Sequence, residues 1–107
     1  MLKIKIKPLS INDAFQGRRF KTDKYKQYEY DCFYLLPKKI EIPKKKKKEL
    51  IIIAGISSKN ADIDNISKCF IDILQKKYKF NDKEIYKLSL TKIDVKKGEE
   101  YIDFSFI

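Results

Sequence analysis

The feature that most constrains the fold of this chain is an apolar run in its middle. Residues 50–54 are all apolar, and the surrounding stretch 49–56 has few polar positions. This is the length of a buried strand, far below the roughly 20 residues that span a bilayer. We therefore predict a strand at the centre of a sheet, and no membrane-spanning segment.

Alternation and turn signals predict three further strands. They cover residues 2–7, 84–93 and 101–107. Residues 96–98 include Gly98 and predict a hairpin between the last two strands. The segment 9–21 mixes polar residues with a glycine, which favours an irregular loop.

Apolar residues at three- and four-residue spacing predict two helices. Thr22 is placed to cap the first helix, and Pro37 closes it. The second helix runs from about 64 to 79, with Asp64 as its N-cap. Because 107 residues fit one domain, we predict a single α+β domain, residues 1–107, with two helices packed on a mixed sheet of about four strands.

Charge and composition limit the chemistry. The net charge is +10, which points to a polyanionic partner. The chain is rich in lysine and isoleucine, as proteins from AT-biased genomes are, so an acidic membrane surface and simple solubility remain alternatives to nucleic acid. No histidine is present, which excludes Ser-His-Asp and Cys-His nucleophiles. The two cysteines lack a metal spacing and are expected to be reduced core thiols.

A group of acidic residues stands out against this basic background. Asp62 and Asp64 are two residues apart at the start of the second helix, and Asp82 follows its end. Carboxylates gathered together repel each other unless a cation lies between them. A strand returning beside residues 49–56 would bring Asp82 back toward Asp62. The alternative is structural: one aspartate caps the helix, another favours its dipole, and Asp82 belongs to a turn.

The chemistry that fits these residues is that of a hard cation. Mg²⁺ prefers a few carboxylates and several waters, and Mn²⁺ can replace it. Lys68, one turn beyond Asp64, is placed to neutralise a phosphate, although it can equally form an i,i+4 ion pair with Asp72. Asn65 either holds the carboxylates by hydrogen bonds or simply favours the helix start.

Both arginines of the chain lie in one basic loop. Arg18 and Arg19 are followed by Lys21, and arginine is the better fork for phosphate. The loop therefore indicates a contact with a nucleic-acid backbone, with an ordinary basic surface as the alternative. The start of the chain lacks the apolar centre of a signal peptide, so we expect an intracellular, cytoplasmic protein.

Five segments form a pattern in chain order: Ser10-x-Asn12, Gly17-Arg18-Arg19, Asp62-x-Asp64-Asn65-x-x-Lys68, Asn81-Asp82-Lys83-Glu84-Ile85 and Lys97-Gly98. In this pattern the chain resembles the RusA family of Holliday junction resolvases over nearly its whole length. The resemblance implies a homodimeric, Mg²⁺-dependent endonuclease without an organic cofactor. Such enzymes bind four-way DNA junctions and make paired incisions in opposing strands, in DNA recombination and repair.

The resemblance also implies roles for individual residues. Asp62, Asp64 and Asp82 match the metal-binding catalytic aspartates of the family. Lys68 matches its catalytic lysine, and Asn65 the adjacent asparagine. The implied DNA contacts are Asn12, Arg18, Arg19, Lys21 and Lys68.

The chain departs from the family pattern at two positions. Ala61 stands where a basic residue is common, and Asn81 where a second acidic residue is common. These departures leave junction selectivity open. Two alternatives therefore remain beside the resolvase: a non-catalytic or broadly debranching DNA-binding protein on the same scaffold, and an RNA-directed nuclease.

Overall fold

A mixed sheet of four strands forms the frame of the molecule, with two helices on one of its faces. The computed structural model describes residues 1–10, 14–16, 20–59 and 61–107. The elements in chain order are β1 (Leu2–Ile4), β2 (Phe15–Gln16), β3 (Phe20–Lys21), α1 (Asp23–Leu35), β4 (Lys48–Ile56), α2 (Ile63–Tyr78), β5 (Ile85–Asp94) and β6 (Tyr101–Phe106). The predicted α+β class is confirmed.

Strand β4 is central in the sheet, as its apolar sequence predicts. The strand order is β1-β6-β4-β5, and β4 pairs with β5 in parallel and with β6 antiparallel. Alternate residues Leu50, Ile52 and Ala54 point to the helix side and are buried. Ile51 and Ile53, on the other face, are half-buried.

A side-chain cap fixes the start of α1, and backbone conformation marks both ends of α2. The Thr22 hydroxyl accepts a hydrogen bond from Tyr25 N at 3.2 Å, so the predicted cap of α1 is confirmed. The N-cap of α2 is Asp62, not Asp64 as predicted, because the backbone is already helical at Ile63. Lys79 ends α2 in the left-handed conformation, with φ of 58°.

The core lies between the sheet and the two helices. The Phe70 ring of α2 meets the Phe104 ring of β6 edge to face, with centroids 5.3 Å apart. Cys32 and Cys69 are buried free thiols, as expected, and burial raises their pKa values to about 12 and about 11. Within the described ranges, neither helix has the length and apolar character needed to cross a membrane.

Two further local predictions were wrong. β5 and β6 do not form a hairpin, because β4 lies between them in the sheet. The turn itself is present: Glu99 N donates to Lys96 O, and Gly98 has a φ of +95°. In the segment 9–21, predicted to be irregular, β2 and β3 pair as a short antiparallel ribbon.

Candidate active site

The first two aspartates of the motif lie at the exposed start of α2. Asp62 is the N-cap residue and Asp64 belongs to the first turn. Asn65 connects them, since its backbone N–H donates to Asp64 Oδ1 at 3.0 Å and its side-chain amide donates to Asp62 Oδ2 at 3.4 Å. The structure thus places Asn65 against both carboxylates, with its backbone on Asp64 and its side chain on Asp62.

Lys68 lies one turn further along the helix, on the exposed side. Its side chain is 53% exposed, and its ammonium is 3.4 Å from Asp72 Oδ1. The predicted i,i+4 pair therefore forms. Because an exposed pair of this kind contributes only about 0.3–0.5 kcal/mol, it holds Lys68 weakly and leaves it able to reach an anion.

A cleft of about 350 Å³ opens beside Asp62 at the carboxyl end of β4. This is the position at which α/β units commonly bind ligands, because strand ends and a helix N-terminus meet there. The polar residues that line it are Lys7, Ser10, Ser57, Ser58, Asp62, Asn65 and Glu100. Asp62 and Asn65 thus border an open space, whereas Asp64 and Lys68 lie outside its lining.

Glu100 is a carboxylate in this cleft that sequence reasoning missed. It accepts hydrogen bonds from Ser57 Oγ at 2.6 Å and from Gly98 N at 2.8 Å. The Ser57 hydrogen bond lowers the pKa of Glu100 below its ordinary value. Its position follows from the pairing of β6 with β4, so local sequence gives no signal for it.

Asp82 lies at the opposite end of the sheet. It begins a short 3₁₀ turn, Asp82–Glu84, after α2. Its backbone N–H donates to Gln75 Oε1 at 3.0 Å, which fixes the turn to the last part of the helix. The predicted turn chemistry at Asn81 is present as well, because the Asn81 side chain accepts from Lys83 N and Glu84 accepts from Asn81 N.

A buried lysine also supports this turn. Lys48, at the start of β4, is 5% exposed, and its ammonium is 2.6 Å from Glu84 Oε1. It donates a second hydrogen bond to Lys45 O at 2.9 Å. The hydrogen bond from Lys48 lowers the pKa of Glu84. Glu84, which caps the Asp82 turn by accepting from Asn81 N, is thereby tied to β4 of the sheet.

The expectation that a returning strand would bring Asp82 toward Asp62 was wrong for a single chain. β5 runs parallel to β4, so it starts beside Lys48, whereas Asp62 follows the other end of β4. Between the two aspartates lies α2, whose 16 residues extend about 24 Å at a helical rise of 1.5 Å per residue. Among the described residues of one chain, no group of three acidic, cysteine or histidine side chains is placed to hold a metal ion.

Of the predicted DNA contacts other than Lys68, only Lys21 falls within the described residues. Its ammonium is 3.6 Å from Glu29 Oε2 and 4.9 Å from the centre of the Tyr25 ring. The Lys76 ammonium of α2 reaches the same Glu29 oxygen at 2.7 Å. The end of the basic loop is therefore held against α1, at a carboxylate that it shares with Lys76 of α2. Asn12, Arg18 and Arg19 lie outside the described residues.

The family comparison agrees with the motif. The family model for endodeoxyribonuclease RusA matches residues 9–103, which include the Asp62-x-Asp64-Asn65-x-x-Lys68 motif and Asp82. No curated protein matches the chain. The resemblance deduced from the sequence is confirmed: the chain belongs to the RusA endodeoxyribonuclease family, whose members are nucleases that act on Holliday junctions.

Proposed function

We propose that this chain is a homodimeric, Mg²⁺-dependent resolvase that cuts four-way DNA junctions by paired phosphodiester hydrolysis in recombination and repair. One observation carries the proposal: two exposed carboxylates, Asp62 and Asp64, share one asparagine at a helix start in a strongly basic protein. Binding phosphate does not by itself need acidic residues, so their presence here favours an enzyme over a DNA-binding protein.

The donor set fits a hard cation. Asp62 and Asp64 offer carboxylate oxygens, and both are exposed. Exposure suits Mg²⁺, which keeps several waters and takes few protein ligands. When bound, the ion supplies charge neutralisation at the phosphate and lowers the pKa of a water molecule. Asn65 then acts by holding the two carboxylates in fixed orientations.

Lys68 supplies a positive charge on the same side of the helix. In the proposed reaction its ammonium leaves Asp72 and binds a phosphate oxygen, where it stabilises the charge that develops during hydrolysis. The loss of the surface pair costs about 0.3–0.5 kcal/mol, which a contact to a charged phosphate offsets.

Asp82 joins this site only from a second copy of the chain. One chain places it about one helix length from Asp62, so a shared cation requires Asp82 of the partner subunit. Two-fold symmetry then produces two identical composite sites per dimer. Two sites match the paired cuts that junction resolution needs.

The basic loop provides the proposed DNA contacts. Asn12, Arg18, Arg19 and Lys21 bind phosphates of the junction arms, and the net charge of +10 attracts DNA at longer range. These contacts orient the junction, and the carboxylate sites then cut it.

The first experiment compares a labelled synthetic four-way junction with a matched linear duplex, in Mg²⁺ and in EDTA. We expect symmetric nicking of the junction only, and only with metal. The variant Asp64→Asn is expected to abolish cleavage while it preserves or tightens junction binding.

Asp23→Asn is the matched control. Asp23 is the exposed carboxylate in the first turn of α1, so it shares the helix-end electrostatics of Asp64 without belonging to the site. We expect this variant to cut normally. Equal cleavage by Asp64→Asn and wild type would refute the site, and tight junction binding without cleavage in Mg²⁺ or Mn²⁺ would favour a non-catalytic DNA-binding protein.

A further inference from the structure

We propose that β5 is the surface through which two copies of this chain associate, edge to edge and antiparallel, into one continuous sheet. The inference rests on the proposed function, because only a shared metal site requires the second copy. It specifies where that copy binds.

Strand β5 is the long open edge of the sheet. It has ten residues and pairs with β4 on one side, and within the described part of the chain no strand lies on its other side. The opposite edge, β1, has only three residues. From Glu49 onward the β4–β5 register runs without a bulge, so the outer edge is regular. Proteins usually shorten, bend or cover such an edge.

The side chains of β5 suit a partner rather than water. Tyr86, Leu88 and Ile93 are 66%, 43% and 41% exposed. The strand contains neither proline nor glycine, the residues that interrupt pairing. Two lysines, Lys87 and Lys92, lie among these apolar residues and are compatible with pairing when they do not face each other.

The direction of pairing selects a second copy as the occupant. The carboxyl end of β5 lies at the Asp62 side of the sheet, because Lys92 Nζ donates to Ala61 O at 3.1 Å and Asp94 is paired with Ile56. The amino end of β5 follows the Asp82 turn. Antiparallel pairing of two β5 strands therefore brings the Asp82 turn of each chain to the Asp62 edge of its partner.

Side-chain pattern selects a register centred on Ser89. A two-fold axis perpendicular to the sheet keeps each face on its own side, so Ser89 then lies opposite the same residue of its partner. Leu88 faces the partner's Leu90 on the helix side, and Lys87 faces the partner's Thr91. This register pairs apolar residues with apolar residues at Leu88 and Leu90, and among residues 85–93 it places no like charges opposite each other. Asp94 then lies opposite the partner's Glu84, which precedes the strand and is neutralised by Lys48 of its own chain.

Cysteine cross-linking tests this surface without any need for cleavage. Opposed residues of antiparallel strands have Cα atoms about 4.5–5.5 Å apart, within disulfide range. The native Cys32 and Cys69 are buried with raised pKa values and leave an introduced thiol as the reactive one. We expect dilute Ser89→Cys to form a disulfide-linked dimer at least ~10-fold faster than the exposed control Lys46→Cys, because pairing raises the effective thiol concentration.

Light scattering on the reduced proteins measures their oligomeric state, and circular dichroism checks that each variant is folded. A dimer in solution without a cross-link from Ser89→Cys, Lys87→Cys or Thr91→Cys would place the interface elsewhere. A wild-type monomer at every concentration would overturn both this surface and the homodimer. A cross-linked Ser89→Cys together with a wild type that does not cut junctions would leave the surface intact and refute the nuclease proposal.

Discussion

Mixing two inactive variants tests the composite site most directly. In Asp64→Asn and in Asp82→Asn, every homodimer carries two damaged sites, and we expect neither to cut. A heterodimer of the two differs, because one of its sites combines an intact Asp64 from one chain with an intact Asp82 from the other. The geometry that requires this is that Asp62 and Asp82 lie at opposite ends of the 16-residue helix α2, while the parallel β4–β5 pair places them at opposite ends of the sheet.

The size of the effect follows from two-fold symmetry. An equal mixture that is unfolded and refolded together contains about one half heterodimers, each with one intact site of two, so about one quarter of the wild-type sites are restored. The assay is single-turnover nicking of a labelled junction. We expect nicks in one strand without paired cuts, since no dimer in the mixture has two intact sites.

The same mixture distinguishes the alternative. If each site were built from one chain, no combination of these subunits would contain an intact site. Co-refolded protein as inactive as either variant alone would therefore refute the composite site. Two variants of the same carboxylate group, Asp62→Asn and Asp64→Asn, are the control mixture, because their damage falls in the same half of the site and no activity is expected.

Three further predictions concern the frame that holds the site. A methyl group at Gly55 would overlap the Tyr101 ring. Gly55→Ala should therefore lower the free energy of unfolding in urea by about 1–3 kcal/mol in the wild-type background and by far less in the Tyr101→Ala background. Equal losses in the two backgrounds would contradict this contact. Glu84 has a lowered pKa in the folded protein because Lys48 donates to its carboxylate. The stabilisation of the fold by this charged pair is therefore present above the ordinary glutamate pKa of 4.5 and is lost as pH falls through the lower, folded-state pKa. The free energy of unfolding of Glu84→Gln should therefore be lower than that of wild type at neutral pH and should approach it in acid. A difference that stays constant with pH would exclude the charged pair as its cause. Thr22→Ala removes the cap of α1 and should cost about 1 kcal/mol in thermal unfolding, whereas Thr22→Ser, which keeps the hydroxyl, should cost much less.

Elements with strong local signals were predicted well. The apolar sequence of β4 predicts a central strand, and the structure places it between β5 and β6. The Thr22 cap and the apolar spacing that follows it depend on neighbours within one or two turns. Such features can be predicted because the interactions that form them join residues close in sequence.

The wrong predictions concern pairing over long distances in the chain. Gly98 adopts the left-handed turn that its sequence indicates, yet the strands on either side of the turn are separated by β4. A turn signal reports only local backbone geometry, whereas strand order depends on how the whole sheet buries its apolar face. The same non-local pairing brings Glu100 into the cleft with Asp62.

The sequence by itself determined the α+β class of this protein and its family. The spacing Asp62-x-Asp64-Asn65-x-x-Lys68, the absence of histidine and the net charge of +10 predict a carboxylate site on this basic scaffold. Only the tertiary structure decided at which end of the sheet each carboxylate lies. Because β5 runs parallel to β4, Asp82 lies near the start of β4 and Asp62 follows its end, and spacing along the chain carries no information about strand direction.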